Sequence, residues 1–405
     1  MSSRRNRKTF NPGKTLGNYS VMRLIGQGGY GDIYECIDLT NHLFYAMKVE
    51  STSCKKQGLK REIEVIRHLR SKYFPQFICY SETSKYRFLI MELFGPSFSA
   101  LRKHLWDHRF QISTVLRMGI EMLKCIEKMH SLGYIHRDIK PSNFLLRASR
   151  RHPIALIDYG LSRPYIDPDT HLPVKQRSNP GFVGTTKYAS INAHEGKELG
   201  RVDDLFSWFY SLIEMWAGRL PWPSTNDKEE VFNAKLSADV PQFIRGMPKQ
   251  MTNIYRLISR LGHDEKPNYP LMYSFMLDAM REINATWDDP YEWERYDISE
   301  ISSISLTPPP NDRPRIPENL PPPEMPPIDI QSILPDKNQR NDKNKNGFRS
   351  TLMSPISSNS TVSTSTISTS TISTSTVSST VSSGTASSSG RQKRYYGSAY
   401  RYRPT

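Results

Sequence analysis

Cysteine is scarce in this chain. Cys36, Cys54, Cys79 and Cys125 are four residues in 405, and none has the short paired spacing of zinc sites and redox motifs, so reduced thiols are expected. Also missing is any apolar run long enough to cross a bilayer, and none follows the basic start "MSSRRNRKTF". The expectation is a soluble protein with no membrane partner, cytoplasmic and with the nucleus as a second location. Acidic residues are absent from positions 1–18, where Arg4, Arg5, Arg7, Lys8 and Lys14 give +5. In 301–405 twelve bases face six acids, giving +6, so only +4 of the formal +15 belongs to the body of the chain. Basicity confined to the ends reads as interaction arms rather than as a nucleic-acid-binding domain.

What is present suffices for a sizeable core, with 37% hydrophobic and 11% aromatic residues. The segments "YSVMRLIG", "YGDIYECID" and "LFYAMKVE" alternate and are rich in β-branched and aromatic residues, which predicts a small antiparallel sheet. "GLKREIEVIRHLR" sets Leu59, Ile63, Ile66 and Leu69 on one face of a helix. After a further strand, "YRFLIMEL", helical patterns dominate, including "TVLRMGIEMLKCIEKMHSLG", "DDLFSWFYSLIEMWAG" and "YPLMYSFMLDAMREI". The expected fold class is α+β: a basic arm at 1–18, a small β-rich lobe at 19–93, and a larger helical lobe at 94–297. From 298 to 405 the composition changes. "TPPPNDRPRIPENLPPPEMPP" favours extended polyproline conformations, and a near five-residue repeat with isolated Val362, Ile367, Ile372 and Val377 is too sparse for a core. The basic, tyrosine-rich "RQKRYYGSAYRYRPT" closes a tail for which disorder is expected.

Gly26, Gly28 and Gly31 make G-x-G-x-x-G, weak evidence alone because dinucleotide-binding folds share it. Such a fingerprint must open a helix, whereas "DIYECID" reads as strand, so a glycine hairpin over phosphates fits better; a hairpin that binds nothing is the plain alternative. Lys48 in "YAMK" has apolar neighbours and needs an acidic partner if it turns inward, which Glu62 on the following helix can supply. "YIHRDIKPSNFLL" is the strongest signal: Asp138 can orient a hydroxyl proton, the Asn143 amide can reach a metal, and Lys140 can stabilise charge on a transferred phosphoryl group. His136 reads as a packing residue that orients the loop. In "ALIDYGLSRP", Asp158 ends an apolar strand as a candidate ligand for magnesium, and Tyr159 keeps a packing ring with one added hydroxyl.

In this order Gly26, Gly28, Lys48, Glu62, Asp138, Asn143 and Asp158 resemble the eukaryotic protein kinases over roughly 19–294, a bilobal fold, and Lys140 in "HRDIKPSN" resembles the serine/threonine class. The resemblance implies ATP and Mg2+ as cofactors and protein substrates with serine or threonine acceptors. It also implies a nucleotide site lined by Ile25, Gly26, Gly28, Ile33, Ala46 and Lys48, with Met91 as gatekeeper and Glu92 and Leu93 as hinge. "GTTKYASINAH" stands where an Ala-Pro-Glu element is expected, and this is similar to the casein kinase I superfamily. The stretch from "PGFVGTTKYASINAH" to "LPWPSTNDKEEV" is similar to the tau-tubulin kinase subgroup, which implies cytoskeletal substrates, bonds from Thr185 to Asp138 and Lys140, and a brace from Asp204 under the catalytic loop. Lys187 replaces an arginine of the parent family's anion site, the family's later lysine falls at Asn233, and Lys175 and Arg177 are read as compensating charges. Together Lys175, Arg177 and Lys187 would favour acidic or pre-phosphorylated sites on the substrate. A monomer is expected. Two other readings stay open: a pseudokinase scaffold acting through its tails, and nucleic-acid binding through the basic, aromatic C-terminus.

Overall fold

Alternation of side chains in the first quarter of the chain produces a sheet with two differently used faces. The computed structural model describes residues 9–28, 31–54, 58–147, 153–167 and 170–295, so the tail expected to be disordered and the first eight residues lie outside the described residues. Strands β1 (Thr15–Leu16), β2 (Tyr19–Gly28), β3 (Gly31–Asp38), β4 (Phe44–Ser51), β5 (Phe77–Glu82) and β6 (Tyr86–Met91) form an antiparallel sheet in the order β1-β2-β3-β4-β6-β5. The period of two sends Tyr45, Met47 and Val49 of β4 into a core with Tyr34, Cys36, Phe88 and Ile90. Ala46 points to the other face, where α1 (Gly58–His68) buries Leu59, Ile63 and Ile66, and Lys48 has the same parity.

The small lobe begins earlier than the expected boundary at 19. Phe10 stacks on Tyr34 at 5.3 Å and meets Tyr86 edge-on at 5.0 Å, and its N–H donates to the Tyr34 hydroxyl at 3.0 Å. Together with the pairing of β1 and β2, this makes 9–18 part of the sheet's outer core; one aromatic among basic neighbours carried too little pattern to show it.

The larger lobe is built on α2 (Phe98–His104), α3 (Ile112–Ser131), α4 (Ile191–His194), α5 (Arg201–Ala217), α6 (Lys228–Ser237), α7 (Val240–Phe243), α8 (Lys249–Ser259) and α9 (Tyr269–Glu282). Four short strands, β7 (Tyr134–Ile135), β8 (Phe144–Leu146), β9 (Ile154–Leu156) and β10 (Arg163–Pro164), pair antiparallel as β7 with β10 and β8 with β9. They hold the loops that will matter below. Helices α3, α5 and α9 meet at Gly119, where an added Cβ would lie 2.7 Å from Met276 and 3.1 Å from Leu212. Trp208, fully buried on α5, donates its indole N–H to the Gly119 carbonyl at 3.0 Å. Gly218, at φ 75°, stops α5 with the left-handed turn glycine adopts without strain. Among the described residues no helix is long and apolar enough to cross a membrane.

After α9 the chain doubles back onto the start of α3. The Arg117 guanidinium lies 4.0 Å over the Tyr291 ring, Thr114 donates to Glu292 at 2.6 Å, and Trp293 packs on Phe98 and Phe110 at 6.1 and 5.6 Å. This strap fills the base of α2 and α3 with a large buried aromatic. Trp293→Ala should therefore cost about 3–5 kcal/mol of unfolding free energy, read from urea denaturation followed by circular dichroism. A loss below about 1 kcal/mol would show that the strap is an ornament on a core complete without it.

Candidate active site

Strand β4 places Lys48 between Ile33 on β3 and Leu89 on β6 in cross-strand register. Its ammonium lies 2.5 Å from Glu62 Oε2 on α1 and 3.0 Å from Asp158 Oδ1. Burial by itself would lower the lysine's pKa, but the charges of Asp158 and Glu62 outweigh it and raise the pKa above the ordinary value. The Lys48 charge in turn pulls the Asp158 carboxyl down to about 2. Lys48 and Asp158 stay ionised around neutrality, burial pushes the Glu62 carboxyl up against the opposing charge of Lys48, and the helix carrying Glu62 is tied to the loop carrying Asp158.

Asp158 sits at φ 70°, a left-handed conformation that aspartate tolerates better than most residues. The next residue, Tyr159, is fully buried and meets Phe74 and His136 edge-on. Its hydroxyl donates to the Leu156 carbonyl, so the partner of that added group is the protein's own backbone.

The loop between β7 and β8 carries the second group of residues. His136 is fully buried; its Nδ1 accepts the Asp138 N–H at 3.2 Å and its Nε2 faces the Ile157 carbonyl at 3.0 Å, which assigns the proton to Nε2 and makes the ring a loop-orienting group. Asp138 Oδ2 accepts from Lys140 at 2.6 Å and Oδ1 from the Thr185 hydroxyl at 2.6 Å, while Lys140 also reaches Thr185 at 3.0 Å. Asn143 donates its amide N–H to the Asp138 carbonyl at 2.9 Å, which leaves its amide oxygen as the side chain's acceptor. Beneath the loop, Asp204 accepts the backbone N–H groups of His136 and Arg137, both at 2.7 Å, and His130 Nε2 lies 2.9 Å away. The triangle of Thr185 and the brace of Asp204 are both present.

Over this floor β2 and β3 close as a hairpin with Gly28 opposite Gly31, and no helix follows, as the strand-like "DIYECID" required. Gly31 is obligatory on steric grounds: a Cβ would come 2.3 Å from the Val49 carbonyl oxygen. Gly26 pairs with Ile33, and Ala46 with Met91, while Ile25, Ile33 and Leu93 are partly buried against the core. Glu92 is committed internally, its N–H to the Gln76 carbonyl at 3.0 Å and its carboxylate to Arg147 at 3.1 Å, so what it can offer a ligand is its carbonyl.

The three cations read as an anion site are not equivalent. Arg177 makes a bidentate pair with Glu198 at 2.7 and 2.9 Å, and Lys187 donates to the buried Glu214 at 2.6 Å. Two of the three expected charges are thus met inside the protein, by partners far away in sequence. Lys175 has no ion pair among the described residues. What the sequence reading missed is that Arg137 and Arg163 gather beside Arg177: burial, then the charges of Arg177 and Arg163, lower the Arg137 pKa to about 10. Burial would raise the Glu198 pKa, but hydrogen bonds from Arg177 and the charges of Arg163 and Arg177 bring it to about 2. Arg177 and Arg163 reach this carboxylate at 2.7 and 4.0 Å, and Arg137, whose guanidinium donates to the Leu161 carbonyl, feels its charge.

A family profile described as the protein kinase domain matches residues 19–268. A Dictyostelium discoideum protein named as a probable serine/threonine-protein kinase is 35% identical over 281 residues, 69% of this chain and 57% of that protein. A Caenorhabditis elegans protein named, also provisionally, as a serine/threonine-protein kinase is 33% identical over 298 residues, 71% of this chain and 85% of that protein. The chain thus spans little more than half the length of the first relative.

Removing the Tyr159 hydroxyl leaves the Leu156 carbonyl short of one donor but leaves Lys48, Glu62 and Asp158 untouched. Tyr159→Phe should lower unfolding free energy by about 1 kcal/mol and keep at least half of native phosphotransfer. A drop beyond tenfold would mean that the hydroxyl holds the Asp158 loop in place.

Proposed function

Because the chain belongs to the protein kinase family and carries a serine/threonine-kinase domain, we propose that it transfers the γ-phosphoryl group of ATP to serine or threonine hydroxyls of proteins, favouring acceptors near acidic or already phosphorylated residues. The observation that carries this reading is the assembled triad of Lys48, Glu62 and Asp158 beside the triangle of Asp138, Lys140 and Thr185. Lys48, locked in charge and orientation, holds nucleotide phosphates beneath the glycine hairpin. The Asp138 carboxylate orients the acceptor hydroxyl and takes its proton, and Lys140 offsets the negative charge on the phosphoryl oxygens. Asp158 and Asn143 offer hard oxygen donors, which suits magnesium, and the bound ion would supply neutralising charge at the phosphates. Among the described residues no group of three or more His, Cys, Asp or Glu is placed to hold a metal.

The casein kinase I branch is our assignment for the missing Ala-Pro-Glu element, and it has physical support. Ser190 and Asn192 of the replacement "SIN" both donate to Asp203 Oδ1, at 2.6 and 3.0 Å, tying the segment to the start of α5. The same resemblance makes cytoskeletal proteins the substrate class we put first, with the protein acting as a cytoplasmic monomer. The preference for phosphorylated substrates rests on Arg137, Arg163 and Arg177, whose positive charge exceeds that of Glu198 and suits a dianion.

Purified protein with magnesium-ATP should phosphorylate a serine peptide, whereas Lys48→Met and Asp158→Asn should each retain under a tenth of that rate while melting within a few degrees of native. Comparable activity in both variants would remove the assigned roles. A peptide bearing a phosphoserine close to the acceptor should be turned over roughly tenfold better than its unphosphorylated twin, the value of one charge-assisted contact. Arg163→Ala should abolish that advantage and leave the plain peptide unaffected; an unchanged ratio would sink the phosphate reading.

A further inference from the structure

Lys235 on α6 is a buried cation that the mechanism does not use. It is 4% exposed, and its ammonium meets the Thr186 carbonyl at 2.8 Å, the Ala189 carbonyl at 2.5 Å and His194 Nε2 at 3.2 Å. The rings of Tyr210 on α5 and Trp222 lie 5.6 and 5.1 Å away. No carboxylate lies within ion-pair distance among the described residues, and burial pulls the lysine's pKa down to about 7. An uncompensated ammonium is a costly way to fill a core, and an apolar side chain of similar length would pack the same space more stably. Its placement therefore calls for a role that an apolar side chain could not fill.

That role is visible in what it grips. Residues 185–189 form a tight turn in which the N–H groups of Tyr188 and Ala189 both donate to the Thr185 carbonyl at 2.9 Å. The turn's inner side presents the Thr185 hydroxyl to Asp138 and Lys140. Among the described residues its outer carbonyls, Thr186 and Ala189, have no strand or helix partner; the one ammonium reaches both, and His194 also bonds the Thr186 backbone. Lys235 thus fixes, from a helix 46 residues further along the chain than Ala189, the turn on which the catalytic carboxylate leans.

We propose that Lys235 is a positioning residue for peptide phosphorylation: by holding both outer carbonyls of the 185–189 turn it keeps Thr185 in register with Asp138 and Lys140, and it governs peptide turnover without acting on the nucleotide. The proposal rests on the kinase reading above for its catalytic consequence, but its structural half stands separately. Lys235→Met keeps the length and loses the donors; Lys235→Arg keeps the donors. Steady-state kinetics should show peptide kcat/KM at least tenfold lower for Lys235→Met, with the KM for ATP within twofold of native, and most of the loss recovered in Lys235→Arg. Hydrogen exchange should show the Tyr188 and Ala189 amides exchanging at least tenfold faster in Lys235→Met while α5 amides keep their native rates. Native peptide kinetics and native exchange in Lys235→Met would overturn the proposal. So would losses spread equally over ATP KM, peptide KM and exchange throughout the large lobe, since that pattern marks a merely structural lysine. If the native protein transfers no phosphate at all, the kinase reading fails, and the exchange experiment still decides whether Lys235 holds the turn.

Discussion

A lysine on the inner face of a strand stays charged only if carboxylates are brought to it, and for Lys48 they come from two distant places. Glu62 arrives on α1 and Asp158 on the loop after β9, and each is held within hydrogen-bond distance of the same ammonium. The consequence reaches beyond one residue. With α1 rotated away, Glu62 would be lost; with Asp158 turned out, only one counter-charge would remain for a buried cation. The small lobe's sheet, its helix and the large lobe's loop therefore share one favourable arrangement.

The large lobe supplies rigidity to match. Asp204, near the start of α5, takes two successive backbone N–H groups of the loop carrying Asp138, and α5 is itself pinned by Trp208 against Gly119 of α3. This firm base lets two residues persist at positive φ, Arg137 at 67° and Asp158 at 70°, where each conformation costs on the order of 1–3 kcal/mol. Gly184 is part of the same device. A Cβ there would come 2.7 Å from the Arg137 carbonyl oxygen, so only glycine lets the segment carrying Thr185 approach.

How much of this could be read from sequence depended on the range of the interaction. The glycine hairpin, the Lys48 strand and the α1 face were legible because each is a local pattern with its own period or steric rule. The Asp138 loop was legible because its chemistry is packed into a few residues. Partners were not: Arg177 to Glu198 and Lys187 to Glu214 join residues 21 and 27 apart, and no periodicity announces them. The same holds for Arg163 beside Arg137 and for Phe10 on Tyr34. Tyr159 shows the boundary within one residue, since its ring was assigned a packing role but its hydroxyl's partner, Leu156, depends on a turn geometry that sequence does not specify.

The two buried lysines show why environment, not residue type, assigns the role. Lys48 has two carboxylates and a raised pKa, so its charge is fixed around neutrality and it can oppose phosphate without being lost. Its contribution to stability is fully present below the ordinary lysine pKa and fades only above it. Lys235 has carbonyls, aromatic faces and a histidine but no counter-charge among the described residues, and burial moves its pKa down to about 7. Between that value and the ordinary lysine pKa the unfolded chain binds the extra proton, so raising the pH through this window relieves the Lys235 site of its burden while the Lys48 contribution stays whole. One lysine is stabilised by what it pairs with. The other lacks such pairing, and the geometry it imposes on the 185–189 turn gives the physical reason for keeping an ammonium there.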